Sequence, residues 1–477
     1  MMYSHLRTLG IVAALTGIAL PAMATQPPDV VTSDGNYNTA MGTSALLSLT
    51  TGSDNTATGQ SALASTTVGS FNTATGYYAL GSNTSSYNTA VGSTALAINS
   101  SGYANTAIGS SALNNNTTGG YNTAVGSVAM LSNVTGSFNT AMGFNALGQN
   151  MGGSFNTAIG QYTLGNNVTG TNNTAVGYYA LEANSGDFET AVGAGALQAN
   201  STGVDNAATG YAALAHNTTG ANNTAFGYEA LYSNTVGIGN AAQGANAMLN
   251  NTTGIRNLAI GNNALLNNST GSYNIALGFD AGFNVVNGSY NIEIGTKGTA
   301  SDNGTIQIGV QGTQTSATIA GIYGVQVSGN AVYVNSAGQL GVQASSERYK
   351  TDIATMPQLS AKLQQLRPVT FRYKTDPKSI PQYGLIAEEV DRVYPELVIR
   401  DQAGRIQGVH YEELAPMLLS EMQRQQRINA SQTVKIEAQA AEVRDLKRQV
   451  AELNDLQQEM HAALREMQRK EELVARR

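Results

Sequence analysis

The chain contains no cysteine. That excludes disulfides, thiolate metal sites and a cysteine nucleophile, and it is compatible with export through an oxidising compartment. Charge is almost missing from the front of the chain. Residues 1–340 carry 3 of the 24 Lys and Arg and 11 of the 31 Asp and Glu, and residues 341–477 carry the rest. The front therefore has no basic footprint for nucleic acid, and the tail is near neutral. Long apolar runs are scarce as well. Leu9 to Leu20 is apolar but too short for the roughly 30 Å hydrocarbon core of a membrane. With His5 and Arg7 before it and Ala22-Met23-Ala24 after it, this segment reads as a secretory signal peptide over residues 1–24. The expectation is a secreted or cell-surface protein with no transmembrane segment once the signal is removed. The last residues, Ala475-Arg476-Arg477, lack the alternating strand that ends a self-supplied outer-membrane barrel.

What the chain has in abundance is one phrase, approximately Asn-Thr-Ala-x-Gly-x-x-Ala-Leu followed by a polar turn. It occurs sixteen times, with its first residue at Asn38, Asn55, Asn72, Asn88 and onward to Asn291, and with Glu189 once in place of Asn. Every step is 17 residues except two of 16, which end at Asn88 and Glu189. A fixed period this short means one small unit stacked on copies of itself. Low charge with much Gly and Asn also suits disorder, but disorder needs no register. The Asn-Thr-Ala-x-Gly part reads as a short strand. Ala40, Ala90, Ala124 and Ala158 then face one way, while Thr39 and Met41, or Thr123 and Val125, face the other.

Both faces of that strand are apolar in part, so it is expected to lie between two packed surfaces. Ala fits a narrow coil interior, and a neighbouring chain would supply the other surface. Ala45-Leu46 and its equivalents add the second apolar patch of each coil. Turns such as Asn116 to Gly119 suit positive φ. Asn at the first position is able to stack into an amide ladder. At about 4.8 Å per coil, sixteen coils would form a rod about 75 Å long. The expected fold is mainly β: a parallel β-roll or solenoid of 16 coils over 36–300, a β-rich neck over 301–344, then a small α+β domain.

The repeat resembles the head repeats of trimeric autotransporter adhesins, in which Asn-x-x-x-x-Gly coils form a parallel β-roll shared by three chains. Those heads use a shorter unit, so the likeness is one of style. It implies a homotrimer with a host-cell or carbohydrate ligand. A calcium-binding roll needs Gly-Gly-x-Gly-x-Asp repeats, and Asp is scarce here. An ice-binding solenoid would use a paired Thr ladder, but here the column (Thr39, Thr56, Thr73, Thr89) is in most coils a single Thr, and a Thr-x-Thr pair occurs in the strand phrase only at Thr56–Thr58 and Thr73–Thr75. A passive, non-cleaving stalk with no ligand is the plainest alternative.

Composition changes abruptly at Ser345. Four blocks follow in order: Ser345-Ser346-Glu347-Arg348-Tyr349-Lys350, Leu366-Arg367-Pro368-Val369, Tyr383-Gly384-Leu385-Ile386-Ala387-Glu388-Glu389-Val390, and Tyr411-Glu412-Glu413-Leu414. Together they resemble the C-terminal intramolecular chaperone domain of phage endosialidases and tail spikes, over residues 345–425. The resemblance implies a trimeric chaperone that cleaves itself off before its motif serine. By position, Ser345 would be the nucleophile, Lys350 its partner and Ala344–Ser345 the scissile bond, with Ser346 standing where the family motif has Asp. The Ser-Ser pair leaves the nucleophile open by one residue.

At most, then, the chain is a single-turnover serine autoendopeptidase acting on itself. No cofactor and no metal is expected. The Glu388–Glu389 pair reads as a helix face, and His410 as a solvated or packing residue. Val443, Leu446, Val450, Leu453, Gln457, Met460, Leu464, Met467, Glu471 and Val474 alternate spacings of three and four, the seam of a coiled coil over 428–477.

Overall fold

In a computed structural model the described residues are 32–476, apart from 321, 323–327, 329–330, 357, 375–379 and 402. The signal peptide expected over 1–24 lies outside them. The chain divides into two compact units: residues up to 329 with 335–339, and residues 330–334 with 340–477.

The first unit is the solenoid. Each Asn-Thr-Ala-x phrase contributes a three-residue strand, from Thr39–Met41 through Ile292–Ile294, and successive strands pair in parallel with no slip. The register places Ala beside Ala, for example Ala90 beside Ala107 and Ala107 beside Ala124. The parallel sheet runs one rung past the last repeat, to Ile306–Ile308, while the two-residue strand Thr32–Ser33 pairs antiparallel with the first rung. The core closes within one chain. Ala107, Ala112 and Leu113 are fully shielded, and the equivalent apolar residues from Ala57 to Ala281 are buried, whereas Ala45 and Leu46 of the first coil are only partly so. The strand residue after Ala points outward, so Val91, Ile108, Met142 and Ile159 stay 38–44% exposed. Of the two surfaces the sequence suggested for each strand, the coil's own interior supplies one, and a single chain leaves the other bare.

The amide ladder is present, but it works partly through the backbone. Asn105 Oδ1 accepts the Asn122 backbone N–H at 2.9 Å, and Asn122 Nδ2 donates to the Gly136 carbonyl at 2.8 Å. A second row, eleven residues after the first, makes the direct amide-to-amide chain: Asn116 Nδ2 donates to Asn99 Oδ1 at 2.7 Å, and Asn133 Nδ2 to Asn116 Oδ1 at 2.7 Å. Sequence reading missed this row. It runs from Asn83 to Asn268, all shielded from solvent, and stops where the next coil has Val285. Buried amides are costly unless bonded, and stacking identical coils satisfies them from their neighbours, until the end of the row, where Asn251 Oδ1 and both polar atoms of the Asn268 side chain have no partner.

The positive-φ expectation for the polar turns is corrected. The left-handed residues are the one before the first Asn, the sixth after it and the Leu, as in Phe138 (φ 58°), Asn145 (φ 55°) and Leu147 (φ 52°). Such backbone costs a non-glycine residue about 1–2 kcal/mol. It persists because each amide is claimed by an adjacent coil: Phe138 N–H donates to Gly120 O at 3.0 Å and Leu147 N–H to Thr163 O at 3.0 Å. The turn glycine serves closeness instead. A Cβ on Gly237 would stand 2.5 Å from the Gly254 carbonyl.

Two carboxyls break the interior pattern. Glu189 takes an Asn place, where its oxygens accept from Asn206 N and Nδ2 at 3.2 and 3.0 Å. Burial pushes it up to about 8. Glu293 takes an Ala place, is fully shielded and has no hydrogen-bond partner for either oxygen. Burial, then the nearby Asp302 charge, push it up to about 7.

In the second unit, two antiparallel hairpins (Val369–Phe371 with Gln382–Gly384, and Val398–Arg400 with Ile406–Val409) accompany the short helix Ala387–Val393. Val390, Tyr394, Leu397, Val398, Val409 and Met417 form the core. The chain ends in one helix, Tyr411–Val474, about 96 Å long at 1.5 Å per residue. Its seam residues Val443, Leu446, Val450 and Leu464 are 46–56% exposed.

Candidate functional site

The serine and lysine singled out from sequence meet at the start of the second unit. A single 3-10 turn, Glu347–Tyr349, separates them. Ser346 precedes the turn in extended backbone and its carbonyl accepts the Tyr349 N–H at 3.0 Å. The Lys350 N–H closes the turn onto the Glu347 carbonyl at 2.9 Å. This brings Lys350 Nζ to 3.3 Å from Ser345 Oγ, the Lys ammonium donating. The arrangement comes from local backbone, since residues five apart across one tight turn fall on the same side. Ser345 and Lys350 are both exposed, as is Ala344.

Chemically, this pair puts an amine within reach of a hydroxyl. A lysine acts as base only when its neutral form is favoured, which requires desolvation or a nearby cation. Arg348 does not turn toward the pair; its guanidinium lies over the Tyr349 ring, 4.7 Å from the centroid.

The other candidates fall into structural roles. Glu389 forms a two-point ion pair with Arg367, Nε to Oε2 at 3.2 Å and Nη2 to Oε1 at 2.6 Å. The Arg367 guanidinium holds the Glu389 carboxyl below the usual range. That pair ties the helix Ala387–Val393 to the segment before the first hairpin, and sequence reading did not foresee it. His410 stands just before the long helix with its Nδ1 2.8 Å from Glu412 Oε1. The Glu412 backbone N–H, then His410, hold Glu412 below the usual range. Tyr411 reaches back, its hydroxyl oxygen accepting the Leu385 N–H at 2.8 Å. Motif blocks three and four therefore meet directly.

Among the described residues no cluster of three or more His, Asp or Glu could hold a metal ion. No described helix is long and apolar enough to cross a membrane. No curated protein and no solved structure gives a match to the chain. Residues 345–399, the segment that opens with Ser345 and carries three of the four motif blocks, match the family described as chaperone of endosialidase, here following a β-solenoid repeat region.

Proposed function

We propose that the chain is an exported, homotrimeric fibrous surface protein, adhesin-like or tail-fibre-like, whose C-terminal domain is an intramolecular chaperone that then releases itself. One observation carries this reading. The chaperone segment is followed by a helix of 64 residues whose apolar seam has nothing to cover it in a single chain. Three such helices zipped along the seam hold three chains in register. That lowers the loop-closure cost of starting three parallel stacks.

Release follows from the Ser345–Lys350 geometry. The Ser345 Oγ attacks the Ala344 carbonyl carbon, which is one residue away, so proximity is built in. Neutral Lys350 takes the hydroxyl proton and passes it to the departing Ser345 nitrogen. The C–N bond breaks as the ester forms, and water then cleaves the ester to leave a carboxyl on Ala344 and a free hydroxyl and amine on Ser345. In one chain Lys350 is exposed. On this reading assembly supplies the desolvation that makes it a base, so cleavage follows trimerisation.

The test is a gel of purified wild type beside Ser345→Ala. A 345–477 fragment in wild type alone is the expected result. If wild type also stays intact, the domain is a chaperone that remains attached and the passive stalk is the better description.

A further inference from the structure

The solenoid carries a groove that the repeat logic does not require. Aromatic rings tend to stack from coil to coil on its surface: Tyr162 on Tyr179 with centroids 5.0 Å apart and planes 6° apart, and Tyr211 on Tyr228 at 5.3 Å and 14°. In the coil that begins at Glu189 the columns are interrupted. Five residues after the coil start, the series runs Tyr178, Ala194, Tyr211, Tyr228; one residue later it runs Tyr179, Gly195, Ala212. The missing side chains open a groove of about 590 Å³ with Ala194, Gly195 and Ala212 on its floor and Tyr178 and Tyr211 bounding it.

One absent rung leaves two coil spacings between those tyrosines, roughly 10 Å. A planar guest touching both walls at about 3.5–4.0 Å would be loose there; a puckered saturated ring fills the space better. Tyr178 and Tyr211 are 52% and 55% exposed, so the site is an open groove and not a closed cage.

The polar groups fix what kind of ring. Gln198 Nε2 donates to Glu182 Oε2 at 3.1 Å, which orients both side chains at one end of the groove. At the other end lie Glu229 and His216, the latter with Nδ1 3.2 Å from the Tyr232 carbonyl oxygen. No Lys or Arg lines the groove. Acceptors without a cation suit hydroxyl donors and repel anions. We propose that this groove binds an uncharged, pyranose-containing glycan, its C–H faces against the tyrosines and its hydroxyls on Glu182 and Glu229. The proposal rests on the surface-protein reading above and deepens it by naming a ligand class.

The experiment titrates the full-length protein with maltotetraose, cellotetraose and chitotetraose. Sialyllactose serves as the acidic comparison and tetramethylammonium as the cationic one. Tyrosine fluorescence and calorimetry give the readouts. Saturable binding of at least one neutral saccharide is expected, weakened more than tenfold by Tyr211→Ala. Ala194→Tyr should weaken it as strongly while completing the aromatic column, so misfolding does not explain its loss. The proposal is overturned if no neutral saccharide binds, if sialyllactose or tetramethylammonium binds in preference, or if Ala194→Tyr leaves binding intact. It is also overturned if Ala194→Tyr changes the oligomer mass, because the groove then belongs to a contact between chains. A monomeric or uncleaved protein that still binds sinks the fibre reading alone; a trimeric, self-cleaving one that does not bind sinks the groove alone.

Discussion

Leu113 in the solenoid and Leu446 in the final helix are the same residue type with opposite fates: the first is fully shielded in a single chain, the second 52% exposed. The difference lies in what each element stacks on. A solenoid coil is covered above and below by its own copies, so one chain completes its core. A long isolated helix covers nothing, and its a/d stripe waits for another helix. The interior of the rod is thus completed within one chain, whereas the apolar seam of the tail is left uncovered in one.

The largest effect expected from this contrast is on assembly. Val450→Asp combined with Leu464→Asp places charge in the helix seam, and sedimentation should show complete loss of the proposed trimer while the β signal of the solenoid persists. Leu164→Ala in the solenoid should do the reverse, costing about 2–5 kcal/mol of stability by opening a cavity and leaving the oligomer unchanged. A trimer that survives the seam variant would place the chain-to-chain contact elsewhere.

Next in size is a backbone effect that only the solenoid can show. Gly143 sits at φ 139°, and a Cβ there would stand 2.5 Å from the Gly160 carbonyl. Gly143→Val should cost on the order of 3 kcal/mol from strain and overpacking together, read as a lower thermal midpoint and a new protease-sensitive point in the stack. The equivalent change at Gly341, with open space around it, should pass unnoticed.

The sequence announced the coil because its period, its Ala and Leu pair and its leading Asn are each tied to one place in the stack. Leu147 at φ 52° was not legible, because nothing intrinsic to leucine favours that backbone; only hydrogen bonds from neighbouring coils hold it there. The second Asn row was legible in principle from its spacing of eleven, but the residues around it vary and hide it. The groove at Ala194 is made of absences, which acquire meaning only once the register sets Tyr178 and Tyr211 two rungs apart. Ser345 and Lys350 could be named from a motif, whereas their 3.3 Å approach needed the turn between them.

A smaller effect separates the units by pH. Glu189, pushed by burial from 4.5 up to about 8, keeps its proton in the folded coil and loses it in the unfolded chain above about 4.5. Between those values the unfolded state binds fewer protons, so stability falls as pH rises and is complete only below the unfolded pKa. Glu293, pushed to about 7, has the same sign over a narrower window. The solenoid should therefore melt at a lower temperature at pH 8 than at pH 5. Glu189→Asn with Glu293→Ala restores the repeat at both places and should flatten the dependence. Melts of this variant that still fall with pH would locate the effect outside the stack.

The smallest expected effect bears most directly on where chains touch. Ile108 and Ile159 lie in the outward row of the strands, 41% and 39% exposed in one chain. If assembly is driven by the tail and the rods stand free along their strands, Ile108→Thr with Ile159→Thr exchanges solvated methyl groups for hydroxyls. Each surface change should then move stability by no more than about 0.5 kcal/mol, with an unaltered sedimentation profile. Thr already occupies this row at Thr58 and Thr75, so the backbone accepts it. A loss of several times that size, seen in the assembled protein and absent in the seam-broken one, would mean that neighbouring chains cover the row. The contrast between a self-sufficient rod and a partner-seeking tail would then hold only for the interior of the coil.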